Sequence, residues 1–297
     1  MQLTARAPAK LNPSLLLGAV RDDGRHELVT VFESVSLCDE LELTLRDDDP
    51  TGDEVVCPGV EGPNLVGAAL AALRGRGWGG PGVRVEVHKR IPVAAGLGGG
   101  SADAAATLRL AAALTPAPHG ALEAVAASLG ADVPGQLVPG VSIGTGAGEV
   151  VLAAPTLEPH AYVIVPLPFG LATPDVYREA DRLALPRGDV ELAGALRSLT
   201  ERLSRPGARL APELAVNDLE RAAISLRPEI AGALVAVREA GAQRAFVCGS
   251  GPTVAGAFTG QGARARADAA AVTLTRRYPG TCAAVPVDAD FGVPQFA

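Results

Sequence analysis

The chain has 297 residues, 48% of them hydrophobic, and a formal net charge of −7. That is enough apolar material for one large or two modest domains, and the negative balance argues against a nucleic-acid partner. No uninterrupted apolar stretch reaches the roughly 18–20 residues that span a bilayer, and the opening MQLTARAPAKLNPS lacks the apolar core of a signal peptide, so a cytoplasmic protein with no membrane partner is expected.

The first third reads as strands and turns. LTARAPAKLNPSLLLGAV and ELVTVFESVSLCDELELTLR alternate apolar and polar residues on either side of the turn RDDGRH. RDDDPTGDE, residues 46–54, reads as a solvated acidic turn. NLVGAALAALRGRG predicts a helix with Asn64 near its N-cap, ended by Gly75 and Gly77. GVRVEVHKRIPV predicts a strand with Val83, Val85 and Val87 on one face. From Ser101, SADAAATLRLAAALT predicts a helix that stops at Thr115-Pro116, and HGALEAVAASLG a second one ending at Gly130. VSIGTGAGEVV reads as one strand.

The two prolines of AAPTLEPH mark a domain connection, which divides the chain into residues 1–158 and 159–297. Beyond it AYVIVPLPF is a strand, followed by three helical segments, TPDVYREADRLA, DVELAGALRSLTERLS and NDLERAAISLRPEIAGALVAVREAG. The chain closes strand–turn–strand–helix–strand over RAFVCGSGPTVAGAFT, RARADAAAVTLTRRY and CAAVPVD. Alternating strands and helices with hairpin-like joins predict an α+β protein with mixed sheets, not a regular doubly wound one.

Cys38, Cys57, Cys248 and Cys282 are scattered, as are the four histidines, with no C-x-x-C or H-E-x-x-H spacing. Reduced thiols and no protein-bound transition metal are expected. Of the 26 Lys and Arg residues only Lys10 and Lys89 are lysines. A compact ammonium meets a phosphate or a carboxylate differently from a planar guanidinium, although chance explains either lysine alone equally well.

Between the predicted strand and helix lies IPVAAGLGGGSADAA, residues 91–105, with four glycines from Gly96 to Gly100. Glycines let the backbone approach an anion and turn N–H groups toward it, and a following helix adds its own unpaired N–H groups and positive end. A plain turn with a serine N-cap needs one glycine, not four. The P-loop pattern fails because no lysine follows the glycines, and the dinucleotide fingerprint fails because Ser101 takes its third glycine place. The loop alone reads as a phosphate binder of a less common kind.

P-x-x-x-G-L-G-G-G-S-A, from Pro92 to Ala102, resembles the central motif of the GHMP kinases. AKLN at Ala9 to Asn12, the segment Arg21 to Leu28 around D-G-R-H, the run Thr30 to Asp39, GADVP from Gly130 and CGSGPT from Cys248 follow in order. They resemble one branch of that superfamily, which phosphorylates a diphosphocytidyl-linked methylerythritol on its 2-hydroxyl in non-mevalonate isoprenoid synthesis. The resemblance runs the length of the chain. It implies a two-domain fold, with an N-terminal mixed β/α nucleotide-binding domain, a ferredoxin-like C-terminal domain and a cleft between them. It also implies ATP with Mg²⁺ and a small-molecule acceptor as ligands, in a monomer or homodimer.

Residue by residue, the resemblance makes Asp132 the proposed base for the attacking hydroxyl and Lys10 its partner, able to stabilise phosphoryl charge. Read alone, Asp132 is a turn aspartate at a helix end. Pro92, Val93, Ala94, Ala95, Gly96, Leu97, Gly98, Gly99, Gly100, Ser101, Ala102 and Asp103 are expected around ATP, with Ser101 approaching Mg²⁺. Asn64 is expected near the adenine, its capping role being an equal reading. Asn12 and His26 match positions that hold the diphosphocytidyl group, and Tyr177 one that stacks on cytosine. Gly249 and Ser250 belong to the third kinase motif, with a simple hairpin as the other reading. Arg25 stands where the branch has tyrosine, and its guanidinium is able to stack on a base. Pro13 and Ser14 replace bulkier apolar residues. The rival readings are another GHMP-type kinase, for homoserine or mevalonate, and a non-catalytic nucleotide or metabolite sensor. A Rossmann dehydrogenase is disfavoured by the failed fingerprint.

Overall fold

The computed structural model describes residues 1–46, 49, 52–60, 62 and 64–296. Residues 47, 48, 50 and 51 of the expected acidic turn lie outside the described residues. At its end, Asp53 Oδ1 accepts from Arg74 Nη2 at 2.6 Å.

Two long strands, β1 (Gln2–Val20) and β2 (His26–Leu45), form an antiparallel hairpin that organises the first sheet. Beyond β2 come β4 (Val83–His88) and, parallel to it, β3 (Glu54–Val56). The other end of β2 pairs with β5 (Val141–Thr145), and β5 with β6 (Val150–Ala154). VSIGTGAGEVV, expected as one strand, is therefore a hairpin. Gly146 and Gly148 take φ of 71° and 111°, the left-handed region that reverses the chain there.

Helices α1 (Leu65–Gly75), α2 (Gly99–Leu114), α3 (Ala121–Leu129) and α4 (Val133–Leu137) cover one face of this sheet. Asn64 caps α1 as expected, accepting from Gly67 N at 3.0 Å. The alternation in β4 sends Val83, Val85 and Val87 into the core. α2 is alanine-rich because it lies inside: Ala102, Ala104, Ala105, Ala106 and Ala111 are all buried, and their small side chains let backbones approach closely.

The second sheet contains β7 (His160–Val165), β8 (Arg244–Val247), β9 (Val254–Thr259) and β10 (Cys282–Ala284). Its order β10-β7-β9-β8, antiparallel throughout, is the ferredoxin-like arrangement. β7 is apolar on successive residues because both its faces are covered. Ala161, Val163 and Val165 face the core under α8 (Glu229–Glu239) and α9 (Ala263–Leu274). Tyr162 and Ile164 pack instead with Ala9, Leu11 and Val35 of the first sheet. Between β7 and β8 run α5 (Thr173–Arg182), α6 (Asp189–Arg202) and α7 (Glu220–Leu226) before α8. The last of the three expected helical segments is thus two helices. Pro228 has no N–H to continue the ladder and pushes Arg227 out of helical conformation, so the break falls between them.

The two halves share material. Leu15 and Leu17 of β1 and Leu28 of β2 lie in the core beneath the second sheet's helices, while Leu16, Val29 and Val31 pack with Leu192 and Leu199 of α6 and with Leu203 at its C-cap. At the far end β11 (Gln295–Phe296) returns to pair with β1. Arg109 of α2 ties this return down: Nε donates to Gly292 O at 3.0 Å, Nη1 to Gln136 O at 2.6 Å and Nη2 to Arg6 O at 2.8 Å. Burial without a carboxylate partner lowers its pKa to about 10. Among the described residues no helix is long and apolar enough to cross a membrane.

The contact between α8 and β9 has no spare room. A Cβ on Gly256 of β9 would lie 2.4 Å from Val237 Cγ1 of α8 and 2.9 Å from Val163 Cγ1. Gly256→Ala is expected to lower unfolding stability by roughly 1–3 kcal/mol. A urea midpoint unchanged from the parent would contradict this packing.

Candidate active site

The cleft begins with an irregularity in β1. Leu11 pairs with Glu33 and Ser14 with Val31, so Asn12 and Pro13 together oppose a single residue of β2. This is a bulge, where a proline's missing N–H is tolerated and a side chain is re-aimed. Asn12 Nδ2 donates to Thr30 Oγ1 at 2.8 Å, and Thr30 Oγ1 donates to Ser14 O at 2.7 Å. With its amide so fixed, Asn12 Oδ1 accepts from Lys10 Nζ at 2.8 Å.

Lys10 is 6% exposed. Its ammonium lies 3.4 Å from Asp132 Oδ2, bringing together two residues 122 positions apart, as expected. Asp132 sits at the start of α4 but makes no capping bond with its side chain. A turn aspartate would spend its carboxylate on the helix end; this one is left facing the cleft and the lysine.

Two glycine-bearing loops meet beside Lys10. Gly96 and Gly98 take φ of 79° and 68°, and Gly249 and Gly251 take 55° and 85°. A Cβ on Gly96 would lie 2.3 Å from Cys248 O, and one on Gly98 2.9 Å from Lys10 Cγ. Lys10 N donates to Leu97 O at 3.0 Å, and Thr253 N to Ala95 O at 3.4 Å. α2 starts at Gly99, two residues earlier than expected, and its cap is the left-handed Gly98, not a serine side chain. Its first N–H groups therefore have no side-chain acceptor and present a positive end to the cleft. Ser250 Oγ shares a 3.0 Å hydrogen bond with Thr173 Oγ1.

These elements enclose a cleft of about 550 Å³. Its wall includes Lys10, Asn12, Asn64, Pro92 to Ser101, Asp103, Asp132, Tyr177, Gly249 and Ser250. Three expected residues are not on it. Ala102 is buried beneath the loop in the core of the first sheet. The exposed Arg25 turns away, its Nη2 donating to Asp23 Oδ2 at 2.9 Å and lying 3.7 Å from Glu149 Oε1, so it supplies no aromatic substitute. His26 is buried, with Nε2 donating to Asp181 Oδ1 at 2.8 Å and its ring 5.1 Å from that of Tyr177. It backs Tyr177 instead of facing the cavity. Burial, and next the charge of Asp132, push the Tyr177 phenol well above its usual range, so it stays neutral.

Lys89, the other lysine of the chain, has no role expected from the sequence. Its Nζ donates to Asp39 Oδ2 at 2.5 Å and to Asp103 Oδ2 at 2.7 Å. Asp39 also accepts from Arg90 N and Ile91 N, at 2.5 and 2.8 Å, which anchors the chain entering the loop. Two buried carboxylates thus share one ammonium. Among the described residues Asp39 has three donors, whereas Asp103 has only Lys89 and leaves Oδ1 buried without a partner. Desolvation, aided by the like charge of Asp39 and opposed by Lys89, raises Asp103 to about 7.

Known proteins bear directly on this site. The family model described as GHMP kinases N terminal domain matches residues 64–140, and that described as GHMP kinases C terminal matches residues 184–274. A protein of Streptomyces coelicolor named 4-diphosphocytidyl-2-C-methyl-D-erythritol kinase is 40% identical over 292 residues, which cover 95% of this chain and 94% of that one. A protein of the same name from Thermobifida fusca is 40% identical over 295 residues, covering 95% and 93%. The crystal structure of a 4-(cytidine 5'-diphospho)-2C-methyl-D-erythritol kinase superposes with a TM-score of 0.73 at 33% identity, covering 95% of this chain and 98% of that one. A homoserine kinase from Cytophaga hutchinsonii shares the fold at 18% identity and TM-score 0.69, covering 99% and 96%.

The buried trio is testable without reference to any relative. Asp103 holds its proton more tightly folded than unfolded, where its value is 3.8. Its contribution to stability is therefore full below about pH 4 and is lost as pH rises through about 7. Asp103→Asn keeps the shape and removes the titration. Against this variant, the parent is expected to lose on the order of 1–3 kcal/mol between pH 4 and pH 8 in urea unfolding. Parallel pH profiles for the two would refute the assignment.

Proposed function

The chain belongs to the GHMP kinases, among the 4-diphosphocytidyl-2-C-methyl-D-erythritol kinases, and from that premise we propose how its cleft divides between two ligands. It is an ATP-dependent phosphotransferase acting on the 2-hydroxyl of 4-diphosphocytidyl-2-C-methyl-D-erythritol, giving the 2-phosphate and ADP for isoprenoid synthesis. The observation that carries the mechanism is the 3.4 Å approach of Lys10 to Asp132 beside the glycine loops.

By this proposal the ATP phosphates lie on the backbone from Gly96 to Ser101, and the base points toward Asn64 and α1. Phosphoryl transfer asks little covalent chemistry of a protein; it needs alignment and charge neutralisation. With no lysine inside the loop, neutralisation comes from the open N-terminus of α2 and from Lys10. Magnesium bound with the nucleotide would supply further positive charge to its phosphates. Among the loop residues the Ser101 hydroxyl, on the cleft wall in the first turn of α2, is a hard oxygen suited to it. The acceptor's 2-hydroxyl sits against Asp132, which orients it and takes its proton. Lys10 is held by Asn12 and Asp132, so its ammonium has a set position facing the transferring group.

The cytosine lies on Tyr177, and His26, oriented by Asp181, fixes that ring from behind. Gly249 and Ser250 close the same side, with Ser250 placed by Thr173. In this division residues 1–158 supply the ATP site and the Lys10–Asp132 pair, and residues 159–297 supply Tyr177 and the Gly249 turn.

A coupled ADP-release assay tests the whole reading. Activity is expected with the cytidyl acceptor and not with homoserine or mevalonate. Asp132→Ala is expected to lower kcat roughly 10²–10⁴-fold while the Kd for ATP stays within about threefold. Undiminished turnover in that variant would remove Asp132 from the mechanism.

The placement of Arg25 gives a separate test. Tyr177→Ala is expected to raise KM for the cytidyl acceptor roughly tenfold or more, as loss of a base-stacking ring does. Arg25→Ala is expected to leave KM within about twofold. Equal effects of the two substitutions would return Arg25 to the base.

A further inference from the structure

A second cavity of about 800 Å³ lies away from the catalytic cleft, between β8, the end of β9 and the segments around Leu157 and Leu210. Its wall combines apolar side chains, among them Leu157, Leu210 and Phe246, with several charged ones. Most of the charged groups are already committed. Arg209 Nε pairs with Glu158 Oε1 at 2.7 Å. His160 Nε2 lies 3.0 Å from Glu33 Oε2, and the Tyr162 hydroxyl donates to the same oxygen at 2.6 Å. Glu220 Oε2 accepts from Val247 N at 3.0 Å.

Arg221 is exposed to solvent, so among the sheltered groups Arg244 is the exception. Among the described residues no carboxylate comes within 4.0 Å of its guanidinium, and the guanidinium makes no hydrogen bond. Its Nη2 is shut off from solvent and unpaired. Its guanidinium lies over the Phe246 ring, 4.4 Å from Cζ to the centroid. Desolvation holds its pKa below the ordinary guanidinium value. The Glu220 charge acts on it only from a distance. A mostly buried arginine with no carboxylate in contact is costly, and proteins normally place a carboxylate or a bound anion opposite one. Arg109, the comparable case in α2, uses all three of its donor positions on carbonyl oxygens. For Arg244 the missing partner has space in the cavity it lines.

We propose that this cavity is a second ligand site, for a small organic anion whose phosphate or carboxylate pairs with Arg244 while its apolar part rests on Phe246, Leu157 and Leu210. With Nη2 shut off, a guanidinium backed by an aromatic ring still offers such an oxyanion a charge-assisted N–H donor from its remaining nitrogens. The site is one strand from the chemistry. β8 runs from Arg244 into the Gly249 turn, and Asn217, also in the cavity wall, donates from Nδ2 to Val247 O and Gly249 O, both at 2.8 Å.

The test is calorimetric titration of the intact protein, with the catalytic cleft first saturated by a non-hydrolysable ATP analogue and the cytidyl substrate. Hexyl phosphate and hexanoate are the probes, and hexylammonium is the charge control. One-to-one binding of at least one anion below about 10 mM is expected, with none of the ammonium. Whichever anion binds more tightly identifies the head group. Arg244→Met, which keeps the length and removes the charge, is expected to weaken that binding at least about tenfold. Leu157→Trp fills the apolar end, leaves Arg244 in place and is expected to weaken it similarly, so the proposal stays testable if Arg244→Met does not fold. No saturable binding, equal binding of hexylammonium, or binding unchanged in the variants overturns the proposal.

Discussion

A methyl group on Gly96 would sit 2.3 Å from the carbonyl oxygen of Cys248, and one on Gly249 would sit 3.1 Å from the carbonyl oxygen of Gly96. The catalytic geometry depends on this steric limit. Two loops, from halves of the chain about 150 residues apart, lie backbone against backbone because neither carries a side chain at the contact. Only at that spacing does Lys10 run across Gly98 and place its ammonium between Asn12 and Asp132. The glycines therefore have two uses. In the proposed reading they present N–H groups to the ATP phosphates, and they bring the loop of one half against the turn of the other.

The same crowding gives a reason for the two lysines in a chain that otherwise uses arginine. The Lys10 stem passes over Gly98, and a Cβ on Gly249 would already be 3.3 Å from its Nζ. A guanidinium carries a planar fork of donors and needs more width than that corridor provides. Lys89 is enclosed by Asp39 and Asp103, where a point charge serves two carboxylates at once. Arg109 meets three carbonyls in three directions, the kind of recognition for which a fork is suited.

Features whose chemistry is local were legible in the sequence. The Asn64 cap, the β1–β2 hairpin, the β4 alternation and the strand–turn–strand–helix–strand ending depend on neighbours a few residues away or on simple periodicity. The pairing of Lys10 with Asp132 is not local, and it was read only through resemblance to a family. Where the reading missed, the deciding partner was distant or the pattern ambiguous. Ser101 looked like a helix start, but the left-handed Gly98 ends the loop first. A short run of small residues between two valine-rich ends hid the hairpin between β5 and β6, although Gly146 and Gly148 were visible in it. Arg25 follows a turn that directs it to Asp23, and nothing in the local sequence reveals that direction. Asp39 and Asp181 act on partners 50 and 155 residues away, beyond the reach of any local pattern.

The β1–β2 hairpin is threaded through both cores, with Leu3, Leu41 and Leu43 in one and Leu15, Leu17 and Leu28 in the other. It acts as a splint. To gape open, the cleft would have to bend two hydrogen-bonded strands and draw three leucines out of a packed interior, so its walls stay nearly stationary and both ligands must diffuse into a preformed slot. The splint also makes the chain indivisible. A fragment cut at the proline-containing connection would expose those leucines along a bare hairpin, a sticky surface of the sort that drives self-association.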